Sequence, residues 1–197
     1  TVAQMEKIKD VCAQNNLLLH LDGSRLFNAL ILHNDTPEQY GKIFQSITIC
    51  LSKGLGCPAG ALLVGNKTFI KKARRIRKVF GGGMRQAGIL AAAGVFALQN
   101  NRERLAVDHM HAKMIAELLQ QLPYVDELFP VHTNILIFHL HNSVSDSDFV
   151  AFLQSNKILS LAIGGNYIRF VTHMDILESM LPVILRTLQQ YNNIRPT

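Results

Sequence analysis

Long apolar runs are missing from this sequence. Its longest helix-like stretch, AGILAAAGVFAL from Ala87 to Leu98, stops well short of the roughly 20 residues that cross a bilayer. It reads as a buried helix, and a membrane role is not expected. Cysteine is scarce: Cys12, Cys50 and Cys57 cannot all pair with one another, and none has a paired-ligand spacing. That excludes a disulfide scaffold and favours a reducing compartment. Aromatic residues do not interleave with the basic ones and no recognition motif accompanies them, so no nucleic-acid partner is expected. Internal repeats and low-complexity segments are absent as well. The opening TVAQMEKIKD has neither an initiator methionine nor a basic-then-apolar leader. The expectation is a fragment of a longer protein, placed in the cytoplasm, with the mitochondrial matrix as the other compartment allowed.

What is there is ordinary globular composition: 197 residues, 48% hydrophobic and 17% charged, enough for one or two packed cores. The net charge of +6 is concentrated in KKARRIRK, Lys71 to Lys78. On a helix, Phe69, Ile70, Ala73, Ile76 and Val79 form one stripe and leave the cations on the other face.

Helix patterns alternate with short apolar runs through the first part of the chain. Val2, Met5, Ile8, Val11 and Cys12 have helical spacing, the run Leu17–Leu21 reads as a buried strand, and RLFNALIL is a second helix. SITICLS and GALLVG are further strands. That alternation predicts an α/β layer with at least partly parallel strands. Beyond about Asn101 the pattern changes. A helix from Arg104 to Leu122, the strand NILIFHL, a helix near Asp146 to Leu153, the strand-like pieces ILSLAI and YIRFVT, and a last helix form an α+β unit. Asp175 and Glu178 stand in capping-box spacing at the expected start of that last helix, and Pro182 is expected to bend it. The expected domains are residues 1–102 and 103–197.

GLGCPAG has the wrong glycine spacing for a dinucleotide loop, and a strand rather than a helix follows it, which excludes a nicotinamide or flavin site there. GGGMR, Gly81 to Arg85, suits either an anion site at a helix start or a helix C-cap. Lys53 is different. It stands at the C-terminal edge of a buried strand, where an open α/β sheet places its ligands, and burial would lower its pKa and expose a nucleophilic amine. The competing reading is a surface lysine at a strand end. Asp22 ends the preceding strand, and a carboxylate there is what a pyridoxal phosphate enzyme needs to keep the pyridine nitrogen protonated. Its competing role is an N-cap. Arg25 opens the next helix and is expected to point into the same pocket.

Four blocks in order, HLDGSRLFNA, ICLSKGLGCPAGALLVGN, RKVFGGGMRQAG and IRFVTH, resemble the low-specificity L-threonine aldolases, pyridoxal phosphate enzymes of the aspartate aminotransferase fold type. The resemblance runs from Leu17 to Thr172. It implies a fold-type-I chain: the C-terminal part of the large cofactor-binding domain in residues 1–102, with its mostly parallel sheet, then a smaller α+β domain in 103–197. Position by position it implies that Lys53 is the Schiff-base residue and that Asp22 pairs with the pyridinium. Arg25 would lie near the cofactor phenolate and the substrate carboxylate, which Arg169 would clamp. Lys78 and Arg85 would lie near the cofactor phosphate, across a subunit interface of a homo-oligomer. The activity implied is retro-aldol cleavage of L-threonine or L-allo-threonine to glycine and acetaldehyde.

Two other readings stand beside it: a catalytically incomplete remnant or short isoform, and a related transaminase or β-lyase. The family's stacking histidine and candidate base belongs to a region with no counterpart here, and none of the eight histidines is assigned to it. His20 is expected to pack and His173 to support Arg169. The pairs His109/His111 and His139/His141 suggest metal only weakly, because no third ligand stands nearby.

Overall fold

The computed structural model describes residues 1–194. Two compact units make up the chain, Thr1–Leu105 and Ala106–Thr197.

The first unit is α/β. Helix α1 (Val2–Gln14) begins in a capping box between Thr1 and Gln4, then come β1 (His20–Gly23), α2 (Leu26–His33), α3 (Pro37–Ile43), β2 (Ser46–Cys50), β3 (Ala61–Gly65), α4 (Lys67–Val79) and α5 (Gly88–Asn100). The sheet order is β1-β2-β3, with β1 and β2 parallel and β3 antiparallel to β2. Side chains alternate along a strand, and here one face is apolar: Leu21, Ile47 and Ile49 pack with Leu26, Leu30 and Tyr40.

Two expectations about this unit need correction, and one helix was not foreseen. The run Leu17–Leu21 becomes a strand only at His20, and Leu18 is 83% exposed. Helix α3 was not legible as a pattern of apolar residues, although Thr36, Pro37 and Gln39 carry a helix-start signature: a capping box with proline in the first turn. The Ala-rich helix is not buried. Only Gly94 and Ala97 of α5 are, while Ile89 is 78% exposed. Contact runs through its smallest residue: a Cβ on Gly94 would come within 3.2 Å of Leu51 Cδ1, so a narrow glycine–alanine strip does the packing. The stripe on α4 forms, yet no side chain of that helix is buried.

The second unit is α+β. Most of α6 (Leu105–Leu119) opens it, followed by β4 (Val125–Leu128), β5 (Ile135–Leu140), α7 (Asp146–Ser155), β6 (Leu161–Ala162), β7 (Tyr167–Val171), a 3-10 turn (Glu178–Met180) and α8 (Leu181–Ile194). The sheet is antiparallel in the order β4-β5-β7-β6. Leu136, Phe138 and Leu140 of β5 and Ile168 and Phe170 of β7 point into a core that also holds Tyr124, Phe149 and Leu188. Helix α8 starts at Leu181, so Asp175 and Glu178 do not cap it. Pro182 falls in its first turn, where the amide proline lacks would have no partner in any case, rather than at a bend. Among the described residues no helix is long and apolar enough to cross a membrane.

Candidate active site

Asp22 stands near the C-terminal end of β1, opposite Thr48 of β2. The chain turns immediately after it, and Asp22 Oδ1 accepts from the Ser24 hydroxyl at 2.7 Å and from the Ser24 amide at 3.1 Å. This is an Asx turn. The carboxylate therefore does not cap α2, whose N-cap residue is Arg25. Both bonds fall on Oδ1 and leave Oδ2 out of the turn. The Ser24 hydroxyl, then its amide, hold the carboxyl below the usual carboxylate range, and the charges of Lys53 and His20 act in the same direction. A group kept ionised in this way suits a site that must hold a proton on a neighbouring base.

Lys53 follows β2 in a tight excursion. The Leu51 amide donates to Gly60 O at 3.0 Å, the Cys57 amide to Leu51 O at 3.0 Å and the Gly56 amide to Lys53 O at 2.9 Å. Gly56 and Gly60 have φ of +73° and +116°, a region in which side chains other than hydrogen are strained. Gly54 has a different reason to be glycine: a Cβ there would lie 2.8 Å from Leu105 Cδ2. Buried Leu51 and Leu55 anchor the turn while Lys53 is exposed. A narrow cleft of about 10 Å³ lies beside these elements, lined among others by Gly23, Ser24, Arg25, Cys50 and Gly54. It has room for about one water molecule. Larger open clefts of about 680 and 420 Å³ run along α4 and β3 instead, away from this chemistry.

Arg25 is thus brought to the cleft that Ser24 and Gly54 line. Lys78 and Arg85 do not line it; they stand exposed on the last turn of α4 and in the loop after it. There GGGMR opens as a helix C-cap. Gly81 has φ +80°, and the Gly82 amide donates to Arg77 O at 2.8 Å, the arrangement that ends helices in a left-handed glycine. Arg169 lies on β7 of the second unit, half-buried, paired with Ile137 in register. Beyond it, Thr172 and Asn134 form a buried knot: the Asn134 amide group donates to Thr172 O at 2.7 Å, and the Thr172 hydroxyl to Asp108 O at 2.6 Å.

His20 does not pack. It is exposed, with Nδ1 2.8 Å from Ser46 Oγ and Nε2 3.4 Å from Thr48 Oγ1. His173 pairs with Asp175 at 3.3 Å. Among the described residues no group of three or more His, Cys, Asp or Glu is placed to hold a metal ion. Ser24 and Thr48 were missed in the sequence, and the only signal for Ser24 was its place two residues after an aspartate at a strand end.

Residues 1–143 match the family model described as beta-eliminating lyase. The chain belongs to the beta-eliminating lyase family. Within it, the chain is 41% identical over 184 residues to the low specificity L-threonine aldolase of Escherichia coli O157:H7, an alignment covering 91% of this chain and 54% of that one. The chain spans about half the length of the curated relatives it matches. Its fold is that of the threonine aldolase of Leishmania major (TM-score 0.76, 20% identity, 97% of this chain and 56% of that one). The histidinol-phosphate aminotransferase of Clostridium acetobutylicum has it too (TM-score 0.68, 16% identity, 95% and 57%). It is the fold-type-I architecture shared by these aldolases and aminotransferases.

Proposed function

We propose that this chain carries the lysine and the carboxylate of a pyridoxal phosphate-dependent lyase acting on β-hydroxy amino acids such as L-threonine and L-allo-threonine. The observation that carries the reading is the position of Asp22 at the end of β1 and of Lys53 just past the same end of the adjoining parallel strand β2. One is an ionised carboxylate fixed by Ser24, and the other an exposed amine whose charge the carboxylate senses. The donor set fits pyridoxal phosphate, which needs an anion for its ring nitrogen and an amine for its aldehyde. Bound there, the cofactor would supply the electron sink for breaking the Cα–Cβ bond.

The chain's own residues would do the rest. Asp22 would hold a proton on the ring nitrogen, using the Oδ2 that its turn does not occupy. Lys53 would anchor the cofactor, give way to the substrate amine and return to release glycine. Arg169 and Arg25 are both planar two-pronged donors of the kind that would hold the substrate carboxylate. Lys78 and Arg85, exposed and basic, would approach the phosphate from a second copy of the chain. The exposed apolar side chains Val79, Phe80, Met84 and Ile89 around them support a homo-oligomer.

A second reading is favoured by the cleft itself. The cleft of about 10 Å³ that Ser24, Arg25 and Gly54 line encloses no ring, and the chain spans about half the length of its relatives. On that reading the polypeptide by itself is catalytically incomplete. Addition of pyridoxal phosphate to wild type and Lys53→Ala, with absorbance spectra and an assay for glycine from threonine, separates the two. A Lys53-dependent band with glycine release supports the lyase; a band without glycine release supports the incomplete form. Amino-group transfer to a keto acid would instead mark a transaminase, and no Lys53-dependent band at all would overturn the cofactor site.

A further inference from the structure

The edge strands of a finished sheet are guarded by charge, proline, a bulge or a covering element. The sheet of the first unit has two edges, and they differ. β1 is four residues long and carries His20 and Asp22, so polar and charged side chains stand on it. β3 is ALLVG, in unbroken register with β2, and has no charge, proline or bulge. Side chains alternate along a strand, so Leu62 and Val64 project to one face and Leu63 to the other. They are 39%, 47% and 42% exposed. A short continuous apolar run belongs to a strand covered on both faces; here both faces stay open.

The backbone of β3 is open along its outer side as well. The Leu51 amide donates to Gly60 O at 3.0 Å, and hydrogen-bonded and non-bonded pairs alternate along an antiparallel ladder. Leu62 and Val64 therefore turn their backbone groups to Ile49 and Ile47 of β2, while Ala61, Leu63 and Gly65 turn theirs away from the sheet. Beside this edge runs a groove of about 420 Å³, lined by the apolar Leu62, Leu63, Ile70 and Ala73 and by the cationic Arg74 and Arg77. Seven of the 13 residues of α4 are lysine or arginine and none is acidic. Among the described residues, none of the seven forms an ion pair.

The open backbone suits a strand, the apolar lining suits apolar side chains, and the unpaired cations suit carboxylates. A second copy of this chain is a poor occupant. Seated there, it would bring its own Arg74 and Arg77 against this pair, and facing like charges disfavour the contact. The relatives supply another occupant: this chain matches 54% of the Escherichia coli O157:H7 aldolase, so a stretch of comparable length in that protein has no counterpart here. We propose that the outer edge of β3 is a strand-addition site, filled by an extended apolar segment with acidic residues beside it, from the part of the family's length that this chain does not span. The proposal stands on the sheet and on family membership, and it holds whether or not Lys53 and Asp22 carry the chemistry proposed above.

The probe for the test is the stretch of the Escherichia coli O157:H7 relative outside the matched region, made as a separate polypeptide and added to this 197-residue chain. In the chain alone the amides of Ala61, Leu63 and Gly65 should exchange freely with solvent. With the probe they should slow about tenfold or more, and by a larger factor than those of Leu62 and Val64, which β2 already holds. Leu63→Pro removes one outward amide and leaves the ladder to β2 intact, so it should weaken probe binding about tenfold or more. Arg74→Glu with Arg77→Glu, both at exposed positions of α4, should weaken it too, and this pair serves alone should Leu63→Pro not fold. If the probe is insoluble by itself, the two polypeptides are co-expressed and exchange is read on the purified complex. No complex, binding without protection of the three outward amides, or binding that both variants leave unchanged overturns the proposal. Protection in the chain alone that grows with its concentration puts a second copy on the edge and overturns it as well. None of these readouts involves pyridoxal phosphate, so their failure leaves the proposed function to the spectra that test it.

Discussion

The Thr48 carbonyl oxygen lies 2.7 Å from the point where a Cβ on Gly23 would sit, and Ile47 Cγ2 lies 3.1 Å from it. The strand end that carries Asp22 is thus pressed against β2 more closely than any side chain permits. Gly23→Ala should force β1 off β2 and cost about 1–3 kcal/mol, the range for overpacking a well-filled site. Urea unfolding of the two proteins measures it. An unchanged midpoint would show that the strands part freely and that the Asp22 position is not fixed by this approach.

Removal of the hydroxyl in Ser24→Ala takes away the strongest influence that holds the Asp22 carboxyl down. The sign follows from linkage. A carboxyl lowered in the folded state adds stability that is present above its ordinary pKa of about 3.9 and is lost as pH falls through the lowered folded value. In Ser24→Ala the carboxyl should titrate closer to its ordinary range, and the acid-induced loss of stability assignable to Asp22 should shrink. Carboxylate NMR titration reads the first effect and thermal melts at successive pH values the second.

The sequence placed the candidate residues along the fold better than it placed the packing. Asp22, Arg25 and Lys53 fall at strand and helix ends because short apolar runs punctuated by glycine mark where an α/β sheet turns: the end of β1, the N-cap of α2 and the turn after β2. Burial was harder to read, for a physical reason. AGILAAAGVFAL is apolar all round, so periodicity cannot say which face packs, and the face that does is the one with the smallest side chains, Gly94 and Ala97. His20 was misjudged because its partners Ser46 and Thr48 come from another strand, which no local pattern reveals. Leu181 and Pro182 show the reverse case: a proline that looked like a bend belongs to a first turn, once the preceding residues are seen to form a separate 3-10 turn.

Tyr124 is buried in the second unit, and its hydroxyl donates to Leu188 O at 2.9 Å. Burial raises its pKa well above the ordinary phenol value, with Tyr191 adding to the effect. A raised folded pKa means stability that is complete below the ordinary value near 10 and is lost as pH climbs from there toward the folded value. Tyr124→Phe leaves the Leu188 carbonyl without this donor and should cost about 1–3 kcal/mol at neutral pH. It should also remove the part of the alkaline destabilisation that begins near pH 10. Denaturant midpoints at neutral and alkaline pH measure both. Parallel losses in the two proteins would show that the phenol does not control that limb.

Arg169 is the residue whose proposed role is separable from Lys53. It is half-buried on β7, in register with Ile137 on one side and Leu161 on the other, so its stem runs along apolar neighbours and its guanidinium is the polar end. Arg169→Lys keeps the charge and most of the stem but loses the planar two-pronged geometry that matches a carboxylate. With pyridoxal phosphate bound, glycine titrated by absorbance should bind about tenfold or more weakly to this variant, the scale of a lost charge-assisted hydrogen bond, while the Lys53-dependent band without glycine stays as in wild type. If the band weakens and glycine affinity does not, Arg169 supports the cofactor rather than the substrate carboxylate. If neither changes, β7 presents it for another purpose.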